Sequence, residues 1–233
     1  MRILVTRPQP DADATAEILR GMGHEPVVAP LLEIRQLAKA GSPEIERFQA
    51  VLITSANGAR ALARATDRRD TQIYAVGAAS AETARQAGFS SVESADGDVD
   101  TLEALVAERV DPENGNLLHV TGSVTTGDLA GKLGRAGFFI EACQLYQANT
   151  VSTLPEAIEG GLQQHSLDAM LVFSPRTART FMKLVKKAKA IELLSDINVF
   201  CLSEAVRAAL DCACFRGVHV AERPEQDSLL RIL

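Results

Sequence analysis

The chain has 233 residues, of which 46% are apolar and 23% charged, the composition of a soluble globular protein with length for one large domain or two of roughly 100 residues. A net charge of −6, no tryptophan and two tyrosines argue against a nucleic-acid binder, which is expected to be basic and to offer aromatic stacking surfaces. No apolar run approaches the ~20 residues that span a bilayer, and the short apolar N-terminus, broken at Thr6, does not read as a signal peptide, so no membrane association and a cytoplasmic location are expected.

Along the chain, short apolar strands alternate with helices. Residues 3–6 read as a strand that stops at Arg7-Pro8; a helix over 12–22 follows, ended by Gly23, then a strand over 26–30. Strands at 50–54 and 72–76 precede helices at 57–65 and 80–87, the second ended by Gly88. A strand at 117–120 precedes a helix over 126–136 ended by Gly137, and further strands fall at 169–173, 199–202 and 218–221. Apolar strands alternating with helices closed by glycine predict parallel sheets covered by helices.

The chain also repeats itself. Leu52-Ile53-Thr54-Ser55-Ala56-Asn57-Gly58-Ala59-Arg60 aligns with Leu171-Val172-Phe173-Ser174-Pro175-Arg176-Thr177-Ala178-Arg179, residues 73–79 with 199–205, and Val5-Thr6, its helix and Gly23 with Val120-Thr121, its helix and Gly137, at offsets of 114 to 126 residues. Three weak matches near one offset point to two similar domains. The middle of the chain holds five strands, whereas the N-terminal block holds two and the C-terminal part three. The expected organisation is therefore a discontinuous first domain of residues 1–35 plus 149–233, with a second domain of residues 36–148 inserted in it. Each is a mainly parallel five-stranded α/β sheet flanked by helices. Two extended connectors, near 31–37 and 142–149, would lie side by side as a two-stranded hinge.

In parallel α/β sheets ligands bind at the carboxyl ends of strands, beside the free N–H groups of helix starts. The turns at those positions are Thr6-Arg7-Pro8, Thr54-Ser55-Ala56-Asn57-Gly58, Gly77 through Ser80, Thr121-Gly122-Ser123, Ser174-Pro175-Arg176 and Ser203-Glu204. Taken singly, each is also what helix capping prefers; their recurrence in both halves suits a ligand with many carboxylates. Tyr146, on the second connector, has two readings: a phenol offered to a ligand as donor, or a ring packed at the hinge. Lys183, Lys186, Lys187 and Lys189 read as a solvated helix face, the sharper alternative being a lure for an anionic substrate. His119 lies inside an apolar strand and reads as a core histidine. Cys143, Cys201, Cys212 and Cys214 read as reduced, mostly buried thiols, and no metal site is expected. Nucleotide-loop and G-x-S-x-G signatures are absent from the sequence.

These turns, in this order, resemble the uroporphyrinogen-III synthase family along essentially the whole chain. The resemblance rests on Thr6-Arg7-Pro8, Thr54-Ser55-Ala56-Asn57-Gly58, Val76-Gly77 with Ser80 and Gly88-Phe89, Leu145-Tyr146, and Phe173-Ser174-Pro175. It implies two α/β domains joined by a two-stranded ladder. It further implies a cofactor-free, cyclising hydro-lyase that turns hydroxymethylbilane, a linear tetrapyrrole with eight carboxylates, into uroporphyrinogen III with inversion of ring D. Tyr146 is the implied catalytic residue. Thr6, Arg7, Ser55, Asn57, Gly58, Gly77, Ser80, Thr121, Gly122, Ser123, Ser174, Arg176 and Ser203 are the expected substrate-binding set. A monomer is expected, with transient hand-over of substrate from hydroxymethylbilane synthase. The sequence departs from the family pattern at Val206, where a hydroxyl is lost, at Thr121-Gly122-Ser123 in place of Arg-Gly, and at Ser80 in place of Thr. The rival reading is a two-domain ligand sensor without chemistry.

Overall fold

A computed structural model describes residues 1–37, 43–124 and 127–233, the side chain of Ala213 excepted. The elements of the first half are β1 (Arg2–Val5), α1 (Asp11–Gly21), β2 (Glu25–Val28), β3 (Leu32–Gln36), β4 (Phe48–Ile53), α2 (Ala56–Ala65), β5 (Gln72–Ala75), α3 (Ala78–Gln86), β6 (Ser91–Ser94) and α4 (Val99–Arg109). Then come β7 (Asn116–Thr121), α5 (Leu129–Arg135), β8 (Ile140–Gln144), β9 (Tyr146–Thr150), α6 (Glu156–Gln163), β10 (Ala169–Val172), α7 (Pro175–Lys187), β11 (Asn198–Cys201), α8 (Glu204–Arg207), β12 (Gly217–Val220) and α9 (Gln226–Leu230).

The chain divides into two compact units, Met1–Glu33 with Asn149–Leu233, and Ile34–Ala148. The second unit holds a parallel sheet in the order β6-β5-β4-β7-β8, and the first a parallel sheet in the order β12-β11-β10-β1-β2. If β10 is counted as the first strand of its unit, both sheets have one topology. The first unit is a circular permutation of the second, with β1 and β2 standing where β7 and β8 stand. That explains why Val5-Thr6 aligns with a segment late in the other unit while the other two repeats align early ones.

Both sheets are apolar on both faces, as parallel sheets covered by helices require. In β4, Val51 and Ile53 enter one core with Leu62, Ala84 and Val120, while Ala50 and Leu52 enter the other with Leu102, Val106 and Leu133. In the first unit Leu4 and Met170 face Phe181 and Val185, whereas Ile3, Val5 and Leu171 face Leu19 and Leu229. The two-residue period of the strand makes this division. At the end of α3, Gly88 (φ 95°) lets its own N–H reach the Arg85 carbonyl and the Phe89 N–H reach that of Ala84; α5 ends the same way at Gly137. This left-handed closure satisfies the last carbonyls and turns the chain into the next strand.

β3 and β9 form a separate two-stranded antiparallel sheet through which the chain passes from one unit to the other, bracketed by Leu37 N–H to Leu145 O and Val151 N–H to Leu31 O. The second connector is β9, not the whole of residues 142–149. Ala142, Cys143 and Gln144 pair with His119, Val120 and Thr121 as the edge strand β8. Alternating apolar and polar residues look alike in a sheet edge and in a ribbon, so sequence cannot separate the two. The first residue of the helix expected at 126–136 lies outside the described residues; the observed helix is α5. Cys201 is buried, but Cys143, Cys212 and Cys214 are only partly so, and all four are free.

Candidate functional site

In the second unit the strand order reverses between β4 and β7, and the crevice outside their carboxyl ends is where such sheets bind ligands. β4 ends at Ile53, and Ser55, in extended conformation, caps α2: its Oγ accepts the Gly58 N–H at 3.0 Å. On the other side of the crevice β7 ends at Thr121, whose carbonyl accepts the Leu145 N–H at 3.1 Å. This delivers Tyr146, the first residue of β9, between the two turns.

The Tyr146 side chain is 8% exposed, and its hydroxyl lies 2.8 Å from Ser55 Oγ. The ring rests on the backbone of Gly122, where a β-carbon would stand 2.6 Å from Cε2 and Cζ. Only glycine admits the ring. Ser123 Oγ accepts the Ala148 N–H at 3.2 Å and fixes the strand just beyond the tyrosine. Ser55 Oγ already receives one N–H from the helix start, so its remaining functions are one O–H and one lone pair. If Ser55 donates to Tyr146, the phenolic proton is left for another acceptor. Ser55, Gly58, Thr121, Gly122, Ser123 and Tyr146 are thus brought together.

One strand over, Gly77 caps α3 and Ser80, 6% exposed, sits in its first turn. Asn57 Oδ1 accepts from Arg60 at 3.0 Å. His119 lies on β7 behind this edge, with Nε2 3.5 Å from Thr54 Oγ1; burial pushes its pKa below the ordinary 6.5.

The equivalent crevice of the first unit, between β10 and β1, is filled differently. Thr6 is fully buried and donates to the Leu171 carbonyl at 3.2 Å. The Arg7 guanidinium lies 4.2 Å over the Phe173 ring, donates to Gln226 at 2.6 Å and Thr15 at 3.2 Å, and pairs with Asp11 at 3.5 Å. These contacts make Arg7 a bolt between β1, α1 and α9. Sequence reasoning did not find Gln226; the residue stands 219 positions away, with no local signal to mark it. Ser174 caps α7, accepting the Thr177 N–H at 3.1 Å, and Pro175 starts the helix. Arg176 follows, half-buried. Ser203 occupies the cap position of the four-residue α8 without a capping bond from its hydroxyl. Among the described residues no three His, Cys, Asp or Glu side chains cluster as metal ligands, and no helix is long and apolar enough to cross a membrane.

Fold and site together define a protein of two permuted, doubly wound α/β units whose strand ends carry hydroxyls and helix amides, with one tyrosine wedged into a switch point. The family profile described as "Uroporphyrinogen-III synthase HemD" matches residues 13–231. The chain belongs to the uroporphyrinogen-III synthase family, cyclising hydro-lyases of porphyrin biosynthesis. It is 25% identical to the uroporphyrinogen-III synthase of Chlorobaculum parvum, over 90% of this chain and 88% of that one. It is also 25% identical to the porphyrin biosynthesis protein HemD of Ruminiclostridium josui, over 98% of this chain but 47% of that longer one. Among solved structures, the Helicobacter pylori uroporphyrinogen-III synthetase superposes with a TM-score of 0.65 at 13% identity, covering 100% of this chain and 98% of that one. A mutant uroporphyrinogen III synthase of Thermus thermophilus superposes with a TM-score of 0.59 at 17% identity, covering 99% and 96%.

Proposed function

We propose that this chain cyclises hydroxymethylbilane to uroporphyrinogen III, with loss of water and inversion of ring D. The observation that carries the chemistry is the Tyr146 phenol held 2.8 Å from a serine whose oxygen is already engaged by a helix N–H. In this reading the phenol gives its proton to the leaving hydroxyl as the C–O bond breaks. Water departs, the cationic pyrrole carbon is attacked within the same chain, and the proton lost from the attacked ring after rearrangement restores the phenol. Proton donation of this kind contributes roughly 10²–10⁴ in rate. The rest is conformational. The spontaneous reaction closes the chain without inversion, so the enzyme must hold ring D turned over, using binding energy from carboxylates remote from the reacting carbon.

In the same reading Asn57, Gly77, Ser80, Thr121, Ser123, Ser174, Arg176 and Ser203 contact those carboxylates, along with backbone N–H groups at the starts of α2, α3 and α7. Thr6 and Arg7 act from behind by holding their crevice together. The enzyme works as a monomer in the cytoplasm and takes its substrate directly from hydroxymethylbilane synthase. The test is a coupled assay: hydroxymethylbilane is generated in place and the oxidised products are separated by isomer. Predominantly type III product is expected. Type I alone from folded protein would overturn the assignment and leave a binding role.

A further inference from the structure

Helix α7 carries Arg176, Arg179, Lys183, Lys186 and Lys187 and no acidic residue, on a chain whose net charge is −6. Positions 176, 180, 183, 184 and 187 recur at helical spacing and share one face. With Thr150, Val151 and Ser152, that face borders an open groove of about 530 Å³, lying wholly within the first unit. Its lining includes four cations, Arg176, Arg179, Lys183 and Lys187, and no carboxylate. Lys187 Nζ reaches the Ser152 carbonyl at 3.2 Å and ties the two walls together. Lys186, off the groove, pairs instead with Asp211 at 3.8 Å. Among the described residues Arg179 and Lys183 have no ion-pair partner.

The fold does not demand this charge. The topologically equivalent α2 carries only Arg60 and Arg64. From position 176 to 187 the cations extend roughly 16 Å along the helix, farther than one carboxylate or phosphate can bridge. The matching chemistry is one molecule bearing several separated carboxylates. A concavity of this size falls within the ~300–1,000 Å³ of small-molecule sites, which favours such a ligand over the acidic face of a protein.

We propose that this groove is an anion site for a polycarboxylated tetrapyrrole, built apart from the Ser55–Tyr146 crevice, with Arg176 the one residue it shares with the substrate-binding set above. The tetrapyrrole rests on the family reading above; the polyanion rests on the groove itself. The probe is uroporphyrin, a stable octacarboxylate, titrated against the full chain, the Lys183→Ala/Lys187→Ala variant and the Lys183→Arg/Lys187→Arg variant at low and high ionic strength. Loss of two exposed ion pairs is expected to weaken binding about tenfold at low salt. The difference should shrink as salt screens it, and the arginine pair should bind at least as tightly as the parent, because it keeps both charges and its guanidinium forks fit carboxylates. Parental affinity in the alanine pair, or an arginine pair as weak as the alanine pair, would overturn the site. The isomer assay keeps the two claims apart. Type I product alone with affinity lost in the alanine pair removes the reaction and leaves the site; type III product with unchanged affinity removes only the site.

Discussion

Gly122 is where a single carbon atom decides the geometry. A β-carbon there would collide with Tyr146, so Gly122→Ala should displace the ring, break its contact with Ser55 and destabilise the protein by about 1–3 kcal/mol. Tyr146→Phe keeps the ring and removes only the phenol. Its single-turnover rate should fall roughly 10²–10⁴-fold, with stability changed by about 1 kcal/mol. A rate within about threefold of the parent would leave Tyr146 a packing role. His119, 7% exposed, makes a different prediction. Its folded pKa lies below 6.5 because burial disfavours the cation, so the unfolded chain binds the extra proton. The stability is present above pH ~6.5 and lost as pH falls towards the folded value, by up to about 1.4 kcal/mol per pH unit. Urea titrations between pH 7 and 5 should show this slope, and His119→Gln should flatten it. The tyrosine was conspicuous in the sequence, but its seat was not. Gly122, which the sequence offered only as part of a strand-end turn, is what makes room for the ring, a relation between positions 24 residues apart that no local pattern records.

The elements that sequence reading located most readily are the central strands, because a buried parallel strand is apolar at every position. β6 (Ser-Val-Glu-Ser) and α4 escaped it: the first is a polar edge strand, and the second buries only Leu102 and Val106. α4 is instead specified at its start. Asp98 Oδ1 accepts the N–H groups of Asp100 and Thr101 at 3.0 and 3.1 Å, and Thr101 Oγ1 accepts the Asp98 N–H at 2.7 Å. Asp98→Ala should therefore lower stability by about 1 kcal/mol, read as a shift in urea midpoint. A shift no larger than that of an exposed control substitution would mean that tertiary packing alone holds α4.

At the scale of the molecule, permutation makes the two units unequal. Ile34–Ala148 is one continuous stretch, whereas the first unit takes β1 and β2 from one end of the chain and β10, β11 and β12 from the other. β1 stands between β10 and β2, so residues 149–233 alone lack a central strand partner for β10. Expressed separately, residues 34–148 should unfold cooperatively in urea and residues 149–233 should not; the reverse result would mean that the sheets are not the units of folding. The amino-acid sequence by itself determined the class of fold, the repeat and the turns that end the strands, because apolar period, glycine closures and capping hydroxyls are local and survive in one dimension. Only the tertiary structure decided that Arg7 is bolted to Phe173 and Gln226, that Tyr146 is seated on Gly122 against Ser55, and that the cations of α7 line a groove with residues 150–152. Those are contacts between segments that the chain separates and only the folded sheets bring together.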